Sequence, residues 1–169
     1  MRLAALTLFF AALAAPGFAQ APQPRRVVDL DKFLGRWHEI AHTPNARQKS
    51  CLGGLMEWSR SHDALAVRQV CKLPGGKAKV VSGSAEVIDP ETNAKVRLSL
   101  MGGLFKPEYW VLDRADDYSW AVVGTPGGNY VWLLSRKPAL SDAERSQAFA
   151  RMRALGYDTA DLKINQGAG

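Results

Sequence analysis

Beyond its first twenty residues the chain lacks any apolar run of the roughly 20 residues needed to span a bilayer. That speaks against a helical membrane protein. Cysteine is scarce, with two in 169 residues and neither in a Cys-x-x-Cys pair nor beside a histidine pair, so no zinc-type ligand spacing is present. Gly-x-Ser-x-Gly, His-Glu-x-x-His and a Gly-rich phosphate loop are missing, and the three histidines are scattered. The usual signatures of hydrolases, metallopeptidases and nucleotide-dependent enzymes are therefore not there. Nor is charge bunched: 22 Lys+Arg against 16 Asp+Glu are spread along the chain without interleaved aromatics. That pattern reads as a solvated basic surface and not as a nucleic-acid interface.

What is present begins with MRLAALTLFFAALAAPGFAQ: one cation at Arg2, an apolar run to Ala15, then small residues around 17–19. This reads as a signal peptide cut near Ala19, giving an exported protein, periplasmic or secreted. With no cysteine in this region for lipidation, the product is expected to be soluble, and association with an outer membrane is left open. Removing Arg2 leaves 21 cations against 16 acids, a net charge of +5. Residues 1–19 are thus assigned to the signal, 20–28 to a flexible leader, and 29–169 to one domain large enough for its own core.

In an exported chain Cys51 and Cys71 are expected to pair. They flank a hairpin turning near residues 60–63, and a bridge closing a loop of this size adds about 3 kcal/mol on the chain-entropy estimate. If Met56 and Trp58 share a face with Leu65 and Val67, regular pairing sets Cys71 against Leu52. The bridge would then need a bulge.

Turn chemistry at residues 60–63, 74–76, 89–93, 102–103, 115–117 and 126–129 divides strand-like runs near 36–43, 52–59, 64–72, 77–88, 94–101, 107–114, 119–125 and 129–135. Eight antiparallel strands in chain order predict an all-β, up-and-down barrel, whose closure removes exposed edges. Val81, Gly83, Ala85 and Val87 share a face and are mostly small, which favours a barrel with room for a ligand. Ser141 with Glu144 spells a capping box, and Ala143, Phe149, Met152 and Leu155 recur at helical spacing before Gly156. Their narrow stripe predicts a helix packed outside the barrel. A short last strand near 162–165 is expected beside the first.

The stretch GRWHEIAH opens the first strand. Gly35 lets the chain turn out of DLDKFL, itself read as a short helical turn, and Trp37 is then the first large inward side chain, closing the barrel floor. The last strand, YVWLLSRKP, ends in Arg136, placed to stack on that indole for about 0.5–2 kcal/mol.

Three blocks in this order, GRW at 35–37, DDY at 116–118 and LLSRKP at 133–138, resemble the lipocalin family, and the likeness covers nearly all of the chain after the signal. In detail it is similar to the branch holding bacterial Blc and apolipoprotein D. The resemblance makes Gly35, Trp37, Asp117, Tyr118 and Arg136 structural motif residues. It implies a non-enzymatic binder of small lipophilic molecules, with a fatty acid or lysophospholipid as cargo and lipid transport, storage or membrane maintenance as role. No cofactor, metal or nucleic acid is implied; a peripheral membrane encounter and a monomeric or homodimeric state are left open. Asp-Asp-Tyr stands where the family favours Thr-Asp-Tyr, and the lipid-modified cysteine of many Blc-type chains is missing.

From the parity of Arg136, residues Tyr130, Trp132 and Leu134 should point inward, and from Trp37 so should Glu39 and Ala41. Met56, Trp58, Leu65, Val67, Val81, Gly83, Leu98 and Leu100 complete the expected lining. Glu39 inside an apolar barrel must be hydrogen-bonded, to partners such as Tyr130 or to a ligand headgroup. His38 and His42 should face away from the pocket. The face of 107–114 is undecided between Tyr109, Val111, Asp113 and Trp110, Leu112, Arg114. The loop 101–107 is either an apolar lip or a self-packed turn. Three rival readings remain: an enzyme on this barrel, a haem binder, which lacks an obvious inward histidine, and an interaction module with an incidental pocket.

Overall fold

The computed structural model describes residues 20–61 and 64–165, so the expected signal segment 1–19 lies outside the described residues. Eight strands follow in order: β1 Gly35–His42, β2 Gly53–Ser61, β3 Ala64–Lys72, β4 Ala78–Val87, β5 Lys95–Leu100, β6 Glu108–Arg114, β7 Trp120–Gly124 and β8 Val131–Ser135. Each pairs antiparallel with the next, and β1 closes the ring by pairing with both β2 and β8. A two-residue strand, β9 Lys163–Ile164, adds to the upper half of β1 where β2 has diverged. The loops 43–52, 73–77, 101–107 and 125–130 lie at one end, the mouth; helix α1 Leu30–Phe33 and the turns 88–94 and 115–119 lie at the other, the floor.

The floor is built as the first motif demands. Asp29 accepts from the backbone N–H groups of Asp31 and Lys32 and caps α1. Gly35 then takes φ +93°, a left-handed conformation suited to glycine. Trp37 is fully buried, donates from Nε1 to Phe33 O (2.8 Å), and lies under the Arg136 guanidinium, 3.7 Å from its ring centroid. Arg136 also donates to Arg36 O (2.9 Å) and Lys32 O (2.5 Å). The indole therefore touches α1 on one side and the last strand's arginine on the other, which locks the two ends of the barrel sequence together. Tyr118, in a left-handed turn (φ 59°), accepts from Asp29 N and packs under Arg114; Asp117 accepts from Ser119 N.

Apolar residues divide into two clusters, one inside the barrel and one outside it. The outer cluster joins Ile40, Ala41, Trp110, Leu112, Val122 and Leu133 to helix α2 Asp142–Ala154. Ser141 and Glu144 form the expected capping box, with Lys137 and Ser141 holding the Glu144 carboxyl down to about 2. The helix buries Ala148 and Met152 completely and packs Phe149 and Leu155 against the same cluster, as expected, while Ala143 stays exposed. Residues 20–28 run along the wall from Pro126 to Thr92, burying Ala21 and Val28. Arg26 and Arg151 both reach the buried Asp113, tying this strap and α2 to β6.

The Cys51–Cys71 disulfide is present. No bulge is needed for it: β2 and β3 pair regularly with Cys71 opposite Gly54, and Cys51 lies just before β2, where the chain turns back at Gln48.

Candidate functional site

The barrel interior is apolar below and polar at the mouth. A narrow cavity of about 470 Å³ of free space, open solvent included, is lined by Val28, Leu30, Phe33 and Leu34 at the floor. Met56, Trp58, Leu65, Val96, Tyr109, Val111 and Val123 form its walls, with Asn93 at its edge. Of the expected lining, Met56, Trp58 and Leu65 form this wall. Val67, Val81, Leu98, Leu100 and Leu134 belong to the same inner cluster. Gly83 does not enlarge the space, since a Cβ there would meet Ser99 O at 2.1 Å: the glycine serves close strand approach.

Two bulges rearrange the predicted faces. On β1 the register shifts between Glu39 and Ala41, so Ile40 is the extra residue. Ala41 consequently joins the outer cluster, and His42, expected to face away, turns to the side of Glu39. On β6 the shift falls between Val111 and Asp113. Tyr109 and Val111 point inward, Trp110 and Leu112 outward, and beyond the bulge Asp113 reaches the outer helix. Neither of the alternating sets expected for 107–114 is thus wholly inward.

Glu39 is the centre of the polar end. Its carboxylate accepts from Gln48 Nε2 (2.6 Å) and Asn165 Nδ2 (2.7 Å), not from Tyr130. His42 Nδ1 lies 2.9 Å from Glu39 Oε1 but out of line for a hydrogen bond, and its ring is almost wholly buried. Gly54, across the strand, has no side chain because a Cβ would stand 2.8 Å from Glu39 Oε2. Gln48 sits on a 3-10 turn, Ala46–Gln48, in the loop that crosses the mouth, and its Oε1 accepts from Trp132 Nε1 (3.0 Å). The same loop sends Arg47 over the Phe105 ring at 3.8 Å, bridging to the opposite rim. Glu39 therefore anchors the mouth loop and the chain's last strand to the barrel. Trp132 faces inward against Tyr109 (5.4 Å between centroids), and burial pushes the Tyr109 phenol up. Tyr130, expected inside, stands on the rim and is 41% exposed, because it precedes β8.

An apolar cavity above an arginine-capped tryptophan is the geometry the three sequence blocks imply, and the family model for the lipocalin-like domain matches residues 28–166. The chain belongs to the lipocalin family. Temperature-induced lipocalin-1 of Arabidopsis thaliana is 28% identical over 143 residues, covering 80% of this chain and 77% of the plant protein. The outer membrane lipoprotein Blc of Vibrio cholerae is 26% identical over 150 residues, 86% of each chain. Among solved structures, insecticyanin of the tobacco hornworm Manduca sexta superimposes with a TM-score of 0.74 at 18% identity, over 91% of this chain and 88% of that one, a likeness of fold. Membership carries binding and transport of small hydrophobic molecules as the general activity. Among the described residues no helix is long and apolar enough to cross a membrane.

Several cavity residues were missed by sequence reasoning. Val96 shares the face of Leu98 and Leu100 and was legible by alternation. Val28, Leu30, Phe33 and Leu34 were not, because the segment before β1 carries no strand pattern that assigns it to the floor.

Proposed function

We propose that this lipocalin binds single-chain lipids, fatty acids or lysophospholipids, without chemical turnover, for transport or storage in an exported compartment. The acyl chain occupies the cavity between Phe33 and Tyr109, and the headgroup lies at the mouth beside Trp132 and Gln48. The observation that carries this is the distribution of polarity: a narrow, mainly apolar space toward the floor with a hydrogen-bonded cluster of Glu39, Gln48 and Trp132 at the mouth. A slim cavity favours an unbranched chain over a haem, and His42, the inward histidine such a group would require, is held beside Glu39 outside the cavity wall. The same burial of His42 beside Glu39 gives a reacting substrate no approach to either group, which favours a carrier over an enzyme.

Titration of delipidated protein with fatty acids and lysophospholipids of increasing chain length, read through Trp132 fluorescence, tests this. Each added CH₂ buried is worth about 0.8 kcal/mol, so affinity should rise about fourfold per carbon until the chain outgrows the cavity. Affinity independent of chain length would refute an acyl chain in the barrel.

A further inference from the structure

The basic excess is scattered in sequence, but the topology gathers much of it. Arg47 and Lys49 lie in the 43–52 loop, Lys72, Lys77 and Lys79 in or beside the 73–77 loop, and Lys106 in the 101–107 loop, all exposed. The four mouth loops contain no aspartate or glutamate. Among the described residues none of these six cations makes a salt bridge, whereas Lys32, Arg60 and Arg114 at the floor all do.

The same end carries the exposed apolar side chains. Leu104 is 84%, Met101 67% and Leu52 58% exposed, joined by Val80 and Tyr130; among the described residues seven large hydrophobic side chains are exposed, and five of them lie at or beside the mouth. Their placement is not incidental to a folded turn. Met101 takes a left-handed conformation (φ 52°) between a strand and two glycines, at the tip of a turn that the Leu100–Phe105 bridge closes, so that Met101 and Leu104 stay exposed while Phe105 folds back. The β3–β4 hairpin also stands above the rim, because β4 pairs with β5 only from Gly83 onward, leaving residues 78–82 joined to β3 alone.

We infer that the mouth is a docking face for an anionic lipid bilayer: Leu52, Met101 and Leu104 enter the headgroup layer while Arg47, Lys49, Lys72, Lys77, Lys79 and Lys106 meet lipid phosphates. Charge complementarity decides the sign of the partner, since cations that make no salt bridge, on loops that contain no acid, are attracted to a negative surface. The arrangement of the apolar groups decides its kind. A protein partner needs a contiguous apolar centre with cations at its edge, whereas here single apolar side chains protrude from separate loops with cations between them, the pattern that suits a fluid surface. Docking in this orientation sets the mouth loops, and not the α1 floor, against the membrane. The inference does not depend on which cargo fills the barrel.

Co-sedimentation of the mature chain with phosphatidylcholine vesicles, with and without phosphatidylglycerol, is the test. Binding should require the anionic lipid and should be lost at high salt. A cation near such a surface contributes about fivefold in affinity, so Lys77→Glu/Lys79→Glu should weaken binding about 25-fold or more. Leu104→Asp should cost about tenfold or more. Arg60→Glu, at the floor, should leave it unchanged, with circular dichroism showing all three variants folded. Equal binding to neutral and anionic vesicles, or binding that survives both mouth variants, would overturn the inference. So would mouth variants that keep vesicle binding but lose an acidic protein partner, which would assign the face to protein recognition. Binding of monomeric lipids in solution is a separate readout, so failure here and failure of the carrier reading are distinguishable.

Discussion

Replacing Arg136 by methionine keeps an unbranched apolar stem and removes the guanidinium, with its charge and its donors. In the structure the guanidinium lies 3.7 Å from the centroid of the fully buried Trp37 ring and forks to the carbonyl oxygens of Arg36 and Lys32. A stacked cation over indole is worth about 0.5–2 kcal/mol, and the half-buried site favours the upper part of that range. Each hydrogen bond from the charged fork adds about 1 kcal/mol net, less than a buried one because the freed carbonyl regains water. Together Arg136→Met should cost about 3.5 kcal/mol in urea unfolding. Arg136→Lys retains the charge but cannot fork to both carbonyls, and should cost about half as much. A loss under about 1 kcal/mol for Arg136→Met would refute the view that this contact joins the two ends of the barrel.

Four further outcomes follow from other contacts. Gly54→Ala places a Cβ against the Glu39 carboxylate and should destabilise the fold by about 1–3 kcal/mol while speeding lipid entry by freeing Gln48, measured by thermal unfolding and stopped-flow lipid uptake. Glu39→Leu should act in the same direction on the loop, changing headgroup preference more than the gain per acyl carbon in the chain-length titration. Reducing Cys51–Cys71 should lower stability by about 3 kcal/mol in denaturant unfolding at matched pH. Burial pushes the Asp113 carboxyl up, but hydrogen bonds from Arg151, the Arg114 backbone and Arg26 outweigh it and hold it below the usual carboxylate range. Its contribution is therefore fully present above the unfolded carboxylate pKa and is lost as pH falls through the depressed folded value; Asp113→Asn should flatten that acid limb of the stability curve.

Strand order and number were legible because alternation and turn chemistry are local, and β1 to β8 lie within two residues of the expected runs. Faces were legible only up to the bulges. One extra residue at Ile40 reverses everything after it on β1, which is why Ala41 and His42 exchange sides, and Leu112 does the same on β6. No residue type in either strand announces the extra position. The floor residues 28–34 and the anchoring of Glu39 by Gln48 and Asn165 depend on contacts between segments 9 and 126 positions apart, which periodicity cannot supply. The gathering of cations at the mouth likewise exists only once the meander places alternate loops at one end.

Native mass spectrometry of the protein purified from cells that produce it, followed by extraction of what it carries, tests the carrier reading most directly. A reproducible bound mass matching a fatty acid or lysophospholipid, displaced by a competing single-chain lipid, is the predicted result. An empty barrel that also leaves Trp132 fluorescence unchanged across the whole chain-length series would contradict it.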